Sequence, residues 1–406
     1  MRQIAVSPMK ISLFRNKTFS LLLYSGLLLS IGNKLYEIVL PLVMLEITHS
    51  PISMTSMRTA ELLPNMFFGV FIGVIVDRVD KKRWVLWMVG VQTALLFLLV
   101  LLFKIQFETL FIYYLIGFLL MTFNYGYFNA QVSLTKVTVP NDQLTSANAK
   151  FSLIETLVSV LAPAFSGIVF LFSSLSDGIF LTALCYFVSF ILLKQLSLKT
   201  EHFNSEKRNF GKELLEGWTF FKSNRALSTV TLFVVFLNCT MTVVSTTILF
   251  YGESTLHLTP SMLAVVLSFT GLGGIAGSLV VNKMRTNLGV GKIFGLAMLL
   301  NGIGYASLLF FHGLIGFSVI LFFIGFGIAM HTISVYTIRH EQTPSHLMGR
   351  IGGITGTIFR IGMPFTMFIS GYMLTWWGPS SIFKTAFIWN IVFFILYIFT
   401  KSWKLK

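Results

Sequence analysis

The chain alternates between long apolar runs and short polar connections, and the runs have the length of membrane-spanning helices. A helix that crosses a bilayer needs about 20 consecutive, mostly apolar residues. Twelve segments meet this requirement, at residues 18–47, 52–76, 84–103, 109–138, 145–172, 178–198, 226–251, 260–284, 290–311, 315–341, 347–376 and 380–400. We therefore predict an all-α integral membrane protein with 12 transmembrane helices, numbered as spans 1 to 12.

Composition supports this prediction and excludes a water-soluble fold. Of the 406 residues, 55% are hydrophobic and 11% are charged, whereas soluble domains carry about 25% charged residues. The two cysteines, Cys185 and Cys239, both lie in apolar runs, where a free thiol packs as a small hydrophobic group. The sequence therefore predicts neither a disulfide framework nor a thiolate metal site.

The positive charges are distributed unevenly along the chain, and their positions predict its orientation. If the N-terminus lies in the cytoplasm, 25 of the 30 lysines and arginines fall on the inner side of the membrane. Cytoplasmic loops of membrane proteins carry such an excess. We therefore expect both termini in the cytoplasm. The net charge of +15 then reflects membrane topology, and no nucleic-acid partner is expected.

One long hydrophilic connection, residues 199–225, divides the predicted spans into six and six. Its apolar residues recur at helical spacing, which favours an amphipathic helix on the inner surface of the membrane. A solvated linker is the alternative. We predict an N-terminal six-helix bundle over residues 1–198, this cytoplasmic linker, and a C-terminal six-helix bundle over residues 226–406.

The two halves resemble each other at a constant offset. Gly73 and Gly277 are separated by 204 residues, as are Pro140 and Pro344. Because both halves have the same topology, this pattern predicts two pseudo-symmetric bundles related by an axis along the membrane normal. Such repeats bind their solute between the halves near the bilayer midplane, and alternating access follows when one half rocks against the other.

The sequence lacks the motifs of enzymes that use nucleotides or catalytic metals. It contains neither a G-x-x-x-x-G-K-[ST] loop nor an H-E-x-x-H helix, the patterns that bind phosphates and zinc. The glycines of residues 271–277 fall inside span 8, where Gly273 and Gly277 form a face typical of close helix packing. We therefore expect a protein that is not an enzyme, has no cofactor or metal, and uses an ion gradient for any uphill transport.

Ionisable residues lie within the predicted spans, where each costs about 2.5–3.5 kcal/mol on insertion and usually faces the protein interior. The candidate residues of a substrate cavity and proton-coupling site are Lys34, Glu37, Arg58, Glu61, Glu155 and Arg360, joined by the polar residues Asn124, Asn238 and His331. Three acids and three bases balance each other. A cavity between the helices is expected to hold these groups.

The spacing of these residues leaves more than one interpretation open. In spans 1 and 2 an acid follows a base by three positions, so that each pair could be a local ion pair that helps insertion. Alternatively, a carboxylate whose partner changes as the halves rock would act as a proton switch, and Glu37 and Glu155 are the candidates. A pair between Glu155 and Arg360 across the two halves is a further alternative.

The stretch "GVIVDRVDKKRW" at residues 73–84 resembles the conserved motif between the second and third helices of the major facilitator superfamily. Asp80 stands where that family has glycine. The residues that match the motif are Gly73, Asp77, Arg78, Lys81 and Lys82. The resemblance covers nearly the whole chain and implies the major facilitator fold.

The resemblance also implies a conformational gate at the inner end of the two halves, where Asp77 contacts the beginning of span 11. The helix N-terminus there carries partial positive charge, and Arg350 lies within about a turn of it. The corresponding position in the second half is Asn282, which keeps a hydrogen-bonding group but lacks the charge. A weaker contact is therefore expected in the second half.

A second motif, "LAPAFSG" at residues 161–167, resembles the helix 5 motif of drug:proton antiporters, and Pro163 and Gly167 match it. The stretches "VPNDQLTSANAK" and "NRALSTV" resemble the macrolide-efflux branch of bacterial members. Together these resemblances imply a monomeric, proton-coupled exporter of amphiphilic small molecules in the bacterial cytoplasmic membrane, which would confer multidrug efflux and antibiotic resistance. Dedicated export of one metabolite such as a siderophore, peptide or lipid is an alternative. Import and a non-transporting sensor or scaffold remain further alternatives.

Overall fold

The computed structural model describes residues 13–140, most positions between 143 and 158, and residues 176–197, 210–311, 313–344 and 347–405. Within these ranges the chain forms helices and no strands. The α-helices are α1 (Lys17–Thr48), α2 (Pro51–Arg78), α3 (Lys81–Lys104), α4 (Leu110–Thr138), α5 (Ser176–Lys194), α6 (Phe210–Ser223), α7 (Arg225–Ser254), α8 (Pro260–Leu288), α9 (Val290–Ser307), α10 (Leu314–Gln342), α11 (Met348–Ile358), α12 (Met363–Trp377) and α13 (Pro379–Ile398). Short 3₁₀-helices cover Leu13–Arg15 and Lys401–Lys404.

Nine helices in the described part of the chain are long and apolar enough to cross a membrane. They correspond to spans 1, 3, 4, 6 to 10 and 12. Much of span 5 lies outside the described residues, so that the count of twelve remains a prediction. The all-helical multi-span fold class is confirmed.

The first helix of each half begins in the same way. Asn16 accepts a hydrogen bond from the Phe19 N–H at the start of α1, and Asn224 accepts one from the Leu227 N–H at the start of α7. Side-chain oxygens at this position satisfy N–H groups that the first helical turn leaves unpaired. The amide nitrogens of both asparagines also donate to a backbone carbonyl at the end of the fourth helix of the same half, at 2.9 and 3.1 Å.

The connection to the second helix is also repeated. His49 and His257 both adopt positive φ angles, 49° and 51°, in the left-handed region where histidine is tolerated better than most residues. A hydroxyl residue then caps the next helix, and a proline follows at its first position. Proline is favoured there because its missing N–H would be unpaired in any residue at that position. Both halves therefore enter their second helix through equivalent turns.

Span 11, predicted as one helix over 347–376, is interrupted in the structure. Its two pieces, α11 and α12, are separated by the turn at Phe359–Gly362. Pro364 follows at the second position of α12. Proline has no N–H for the helical ladder and its ring collides with the carbonyl four residues earlier, so the helix breaks there. Arg360 lies within this break.

The connection between the halves contains the linker helix α6, which packs on α11. Phe221 belongs to an apolar cluster with Ile351 and Ile354. A Cβ atom at Gly217 would lie 3.1 Å from both the Arg350 Cβ and the Ile354 Cδ1. That distance is shorter than an ordinary van der Waals contact. The absence of a side chain at Gly217 therefore permits the close approach of α6 and α11.

At the end opposite the linker, the two halves pack tightly. Gly371 of α12 contacts the Thr55 hydroxyl of α2, and a Cβ at Gly371 would lie 3.1 Å from the Ile52 Cα. The Thr59 hydroxyl donates to the Pro364 carbonyl at 3.5 Å. An apolar cluster joins the halves at the same end, with Leu42, Leu45 and Met54 on one side and Leu249 and Leu263 on the other. The described helices of the two halves are therefore in direct contact at this end.

Candidate functional site

A cavity of about 210 Å³ lies between the two halves of the chain, and we call it the central cavity. The N-terminal half contributes Glu37 and Ile38 of α1 and Arg58 of α2. Helices α7 to α10 form the opposite wall, whose residues are Met241, Val244, Ser245, Thr246, Ile248, Leu249, Leu267, Thr270, Tyr305, Ile324 and Ile328. One wall therefore carries opposite charges, and the other is mostly apolar.

Two ion pairs predicted as an alternative from the sequence are present. The Lys34 Nζ lies 2.7 Å from the Glu37 Oε2, and the Arg58 guanidinium lies 2.6 Å from the Glu61 Oε2. The two pairs differ in burial. About a third of each side chain in the first pair is exposed, whereas the Glu61 side chain is only 2% exposed. The second pair therefore lies behind the cavity wall, with Arg58 at the surface of the cavity.

The ion pairs are joined to each other and to the remaining charged groups of the spans. Glu37 interacts electrostatically with both Arg58 and Arg360. Glu155, whose side chain is exposed and does not line the central cavity, interacts with Lys34. The three acids and three bases thus form one network, which we call the charge network. Its members are Glu155, Lys34, Glu37, Arg58, Glu61 and Arg360.

Arg360 connects the C-terminal half to this network from the break between α11 and α12. Its guanidinium carbon lies 5.8 Å from the centre of the Tyr125 ring in α4, within the range of a cation–π interaction. The Asn238 amide donates to the Phe359 carbonyl at 3.1 Å, which the interrupted helix leaves without its usual partner. Arg360 thus contacts Tyr125 of the N-terminal half and interacts with Glu37 only electrostatically, whereas the sequence left a pair with Glu155 as an alternative.

Two other predicted site residues lie away from the central cavity. Asn124 is buried, and its amide donates to the Asn33 side chain at 3.3 Å, which ties α4 to α1. His331 is buried within the C-terminal half, where its ring stacks on Phe294 with ring centres 5.4 Å apart. Neither residue lines the cavity. Their surroundings favour a role in helix packing.

The predicted gate residues are only partly within the described structure. The side chains of Gly73, Asp77, Arg78 and Asn282, as well as Pro163 and Gly167, lie outside the described residues. Lys82 is half-buried at the start of α3. The Asp77 gate therefore remains a prediction.

Two contacts at the linker end of the helices were not foreseen. Asp80, which replaces the family's glycine, caps α3 by accepting a hydrogen bond from the Arg83 N–H at 2.9 Å. Arg350 of α11 pairs with Glu216 of the linker helix at 2.5 Å. An aspartate immediately before the first residue of a helix is a recognisable cap signal, but no local pattern identifies Glu216 as the partner of a residue 134 positions away.

Comparisons with known proteins agree with this architecture. Residues 22–367 and 256–402 match the family described as the Major Facilitator Superfamily. The chain is 22% identical to the staphyloferrin A transporter of Staphylococcus aureus (strain NCTC 8325 / PS 47) over 299 residues, which cover 70% of this chain and 72% of that protein.

Solved structures of transporters have a similar fold. The nucleoside transporter NupG superposes with a TM-score of 0.77 at 10% identity, covering 96% of this chain and 100% of that chain. A bacterial homologue of the iron transporter ferroportin in its inward-facing state superposes with a TM-score of 0.72 at 15% identity, covering 96% of this chain and 100% of that one. At these identities the likeness concerns the fold alone.

Proposed function

Because the chain belongs to the Major Facilitator Superfamily, whose match spans residues 22–367, we propose that it carries a small amphiphilic solute through the central cavity by alternating access. The protein is a multi-pass membrane transporter and not an enzyme. We further propose that both termini lie in the cytoplasm of a bacterium and that the monomer is the working unit.

The central cavity is the observation that carries this proposal. It has Glu37 and Arg58 on one wall and apolar side chains of α7 to α10 on the other. Ligand pockets commonly combine an apolar lining with a few charged groups that fix the orientation of the ligand. A solute with an ionic group and a hydrophobic body fits such a site, because each part meets a matching wall.

Two solute classes fit this description, and each has its own support. The staphyloferrin A transporter is related to this chain over most of its length, which favours dedicated export of one metabolite of the siderophore class. The second candidate is efflux of several amphiphilic drugs. It is supported by the resemblance of Pro163 and Gly167 to the antiporter motif and by the apolar wall of the cavity.

We propose protons as the coupling ion, because the charge network balances three acids against three bases. Protonation of any one acid leaves a base in the network without a counter-ion, and an uncompensated charge in a membrane interior is costly. The neighbouring charges must then rearrange. A rearrangement at Glu37 or Arg58 changes the wall of the cavity itself, and hence its affinity for an ionic solute.

The test uses purified protein in proteoliposomes with an imposed pH gradient, with ethidium as the amphiphilic cation and staphyloferrin A as the siderophore. Gradient-driven movement of ethidium that unrelated amphiphiles inhibit would assign drug efflux. Movement of staphyloferrin A alone would assign the dedicated transporter. The Glu37→Gln variant should lose transport, whereas Glu108→Gln, on an exposed connection, is the matched control. If neither probe moves in the parent protein, the proposed solute classes are wrong.

A further inference from the structure

Glu61 differs from every other charged residue in the described part of the chain because it is more than nine-tenths buried. Lysines, arginines and the other acids keep more contact with solvent, lipid or the cavity. A buried carboxylate is costly unless ion pairing and hydrogen bonds satisfy both of its oxygens. The surroundings of Glu61 therefore show whether its charge is fully compensated.

Only one of the two Glu61 oxygens is satisfied. Oε2 accepts a hydrogen bond from the Arg58 guanidinium at 2.6 Å. Oε1 has no hydrogen-bond partner among the residues that the structure describes. An ionised carboxylate can accept about four hydrogen bonds, and buried polar atoms without any partner are rare in native proteins. Oε1 therefore has capacity for a further hydrogen bond or a proton.

Two more buried polar groups without partners lie beside it. The Tyr36 hydroxyl of α1 faces the Glu61 carboxylate, although the geometry falls short of a hydrogen bond. The Asn65 amide nitrogen is also unpaired in the described structure, and Asn65 shares a helix face with Glu61 because the two are four positions apart. Glu61, Tyr36 and Asn65 therefore form a small polar site on α1 and α2 that keeps unused hydrogen-bonding capacity in the described structure.

The charges around this site limit what the ligand can be. Arg58 lies on the same helix, and Tyr36 and Glu37 of α1 face the carboxylate. The neighbouring α12 has no charged side chain, and α4 has only Lys136, in its last turn. With the Arg58 cation already on one oxygen, a second full cation would be repelled, whereas a proton adds to Oε1 without a hydration shell or further ligands.

We infer that Oε1 of Glu61 is the proton-binding site of this transporter, an inference that rests on the proton coupling proposed above. A proton from water forms the O–H bond of a neutral carboxylic acid, which can donate to the Tyr36 hydroxyl oxygen. The Asn65 amide can then donate to the carboxyl group. All three unsatisfied groups acquire partners in this state.

The bound proton acts on the cavity through Arg58. When Glu61 is neutral, Arg58 loses its counter-ion. Glu37 is then the remaining acid with which Arg58 interacts. Both Arg58 and Glu37 line the central cavity, so that the proton raises the positive charge of that wall by one. A cationic solute would then leave the wall, and exchange of a cation for a proton follows. An anionic solute would instead travel together with the proton.

The same geometry separates Glu61 from the two carboxylates favoured by the sequence. Glu37 is surrounded by Lys34, Arg58 and Arg360, and three cations stabilise its ionised form. Glu155 is exposed and does not line the cavity. Glu61 is buried, has a single cation partner, and has one oxygen without a hydrogen-bond partner in the described structure. It is therefore the acid of the charge network whose ionised form is least well compensated.

Infrared difference spectroscopy of the ligand-free protein tests this inference. As pH falls, the parent should develop the C=O stretching band of a buried carboxylic acid, and deuterium oxide should shift it. Glu61→Gln should abolish the band, whereas Glu37→Gln and Glu155→Gln should keep it. Tyr36→Phe, which leaves the carboxyl group in place, should shift its frequency. A band that persists in Glu61→Gln, or one that responds to sodium and not to pH, would overturn the inference.

A transport experiment separates failure of the inference from failure of the proposed function. In proteoliposomes, Glu61→Gln should lower the pH-gradient-driven accumulation of ethidium by about 5–150-fold, the usual range of a coupling effect, and ethidium exchange should no longer depend on pH. If the parent moves no ethidium, the proposed drug efflux fails while the infrared result is unaffected. If Glu61→Gln keeps full pH-driven accumulation, the proton site is elsewhere.

Discussion

Replacing Gly371 by alanine should open the end of the molecule opposite the linker. The hydrogen that becomes a methyl group points at the Thr55 hydroxyl, and the new Cβ would lie 3.1 Å from the Ile52 Cα. The Ile52 contact is with backbone, which cannot rotate away as the end of a flexible side chain can. The α2–α12 contact must therefore widen in the variant.

The size of the effect follows from the cost of overpacking. Inserting a methyl group into a close contact costs about 1–3 kcal/mol. This cost falls on the closed arrangement, because α2 and α12 separate when the halves rock apart at that end. A difference of this size multiplies the ratio of open to closed molecules by about 5–150-fold.

Thiol accessibility measures this ratio. Thr246 is buried and lines the central cavity, so that a cysteine there reacts with a membrane-impermeant reagent only when the end opposite the linker opens. The background protein has both native cysteines replaced by alanine, and the reagent is added on that side of proteoliposomes. The labelling rate should rise by about 5–150-fold in Gly371→Ala.

The matched control is Gly356→Ala. Gly356 lies in α11, and no described atom beyond its chain neighbours and its own helix backbone lies within 4 Å of a Cβ built there. This variant has the same chemical change and should label at the parent rate. Equal labelling rates in Gly371→Ala and the parent would refute the assignment of the α2–α12 contact as the closure of the two halves.

Three further predictions concern the supports of this architecture. Asn16→Ala and Asn224→Ala each remove a helix cap and a hydrogen bond to the fourth helix of the same half. Each should lower the free energy of unfolding by about 0.5–2 kcal/mol, measured by thermal unfolding in detergent. Unchanged stability in both variants would contradict the repeated role of these side chains. The pair of Glu216 with Arg350 is partly exposed, and Glu216→Gln should change stability by no more than about 1 kcal/mol; a larger loss in chemical denaturation would assign it a structural role. His331→Phe keeps an aromatic ring stacked at the same buried position, so the pH dependence of ethidium transport should equal that of the parent. A shifted pH dependence would show that His331 takes part in proton coupling.

Much of the fold could be predicted from local patterns in the sequence. Apolar runs determine where spans begin and end, because a bilayer imposes one length on every helix. The pairing of Lys34 with Glu37 follows from their spacing on one helix face. The linker helix followed from the recurrence of apolar residues such as Phe221 and Trp218 at helical intervals. These features depend on residues close together in the chain.

The rest of the candidate site depends on contacts between distant segments. Arg360 meets Tyr125 across the two halves, and Arg350 meets Glu216 across 134 residues. No periodicity encodes such pairs, because they arise when helices pack. The break before α12 had a local signal in Pro364, which the apolar run obscured. Tyr36 was overlooked because one hydroxyl in a long apolar helix is ordinary until its neighbour proves to be an acid.

The interruption of span 11 has a mechanical consequence. Its first piece, α11, packs on the linker helix at Gly217 and also contacts α2, whereas its second piece, α12, packs mainly on α2 of the other half. We expect any relative rotation of α11 and α12 to occur in the turn at Phe359–Gly362, which is the only non-helical segment between them in the described chain. Arg360 lies in that turn. Rotation at this turn would therefore displace the Arg360 guanidinium, so that each conformational change moves a positive charge relative to Glu37.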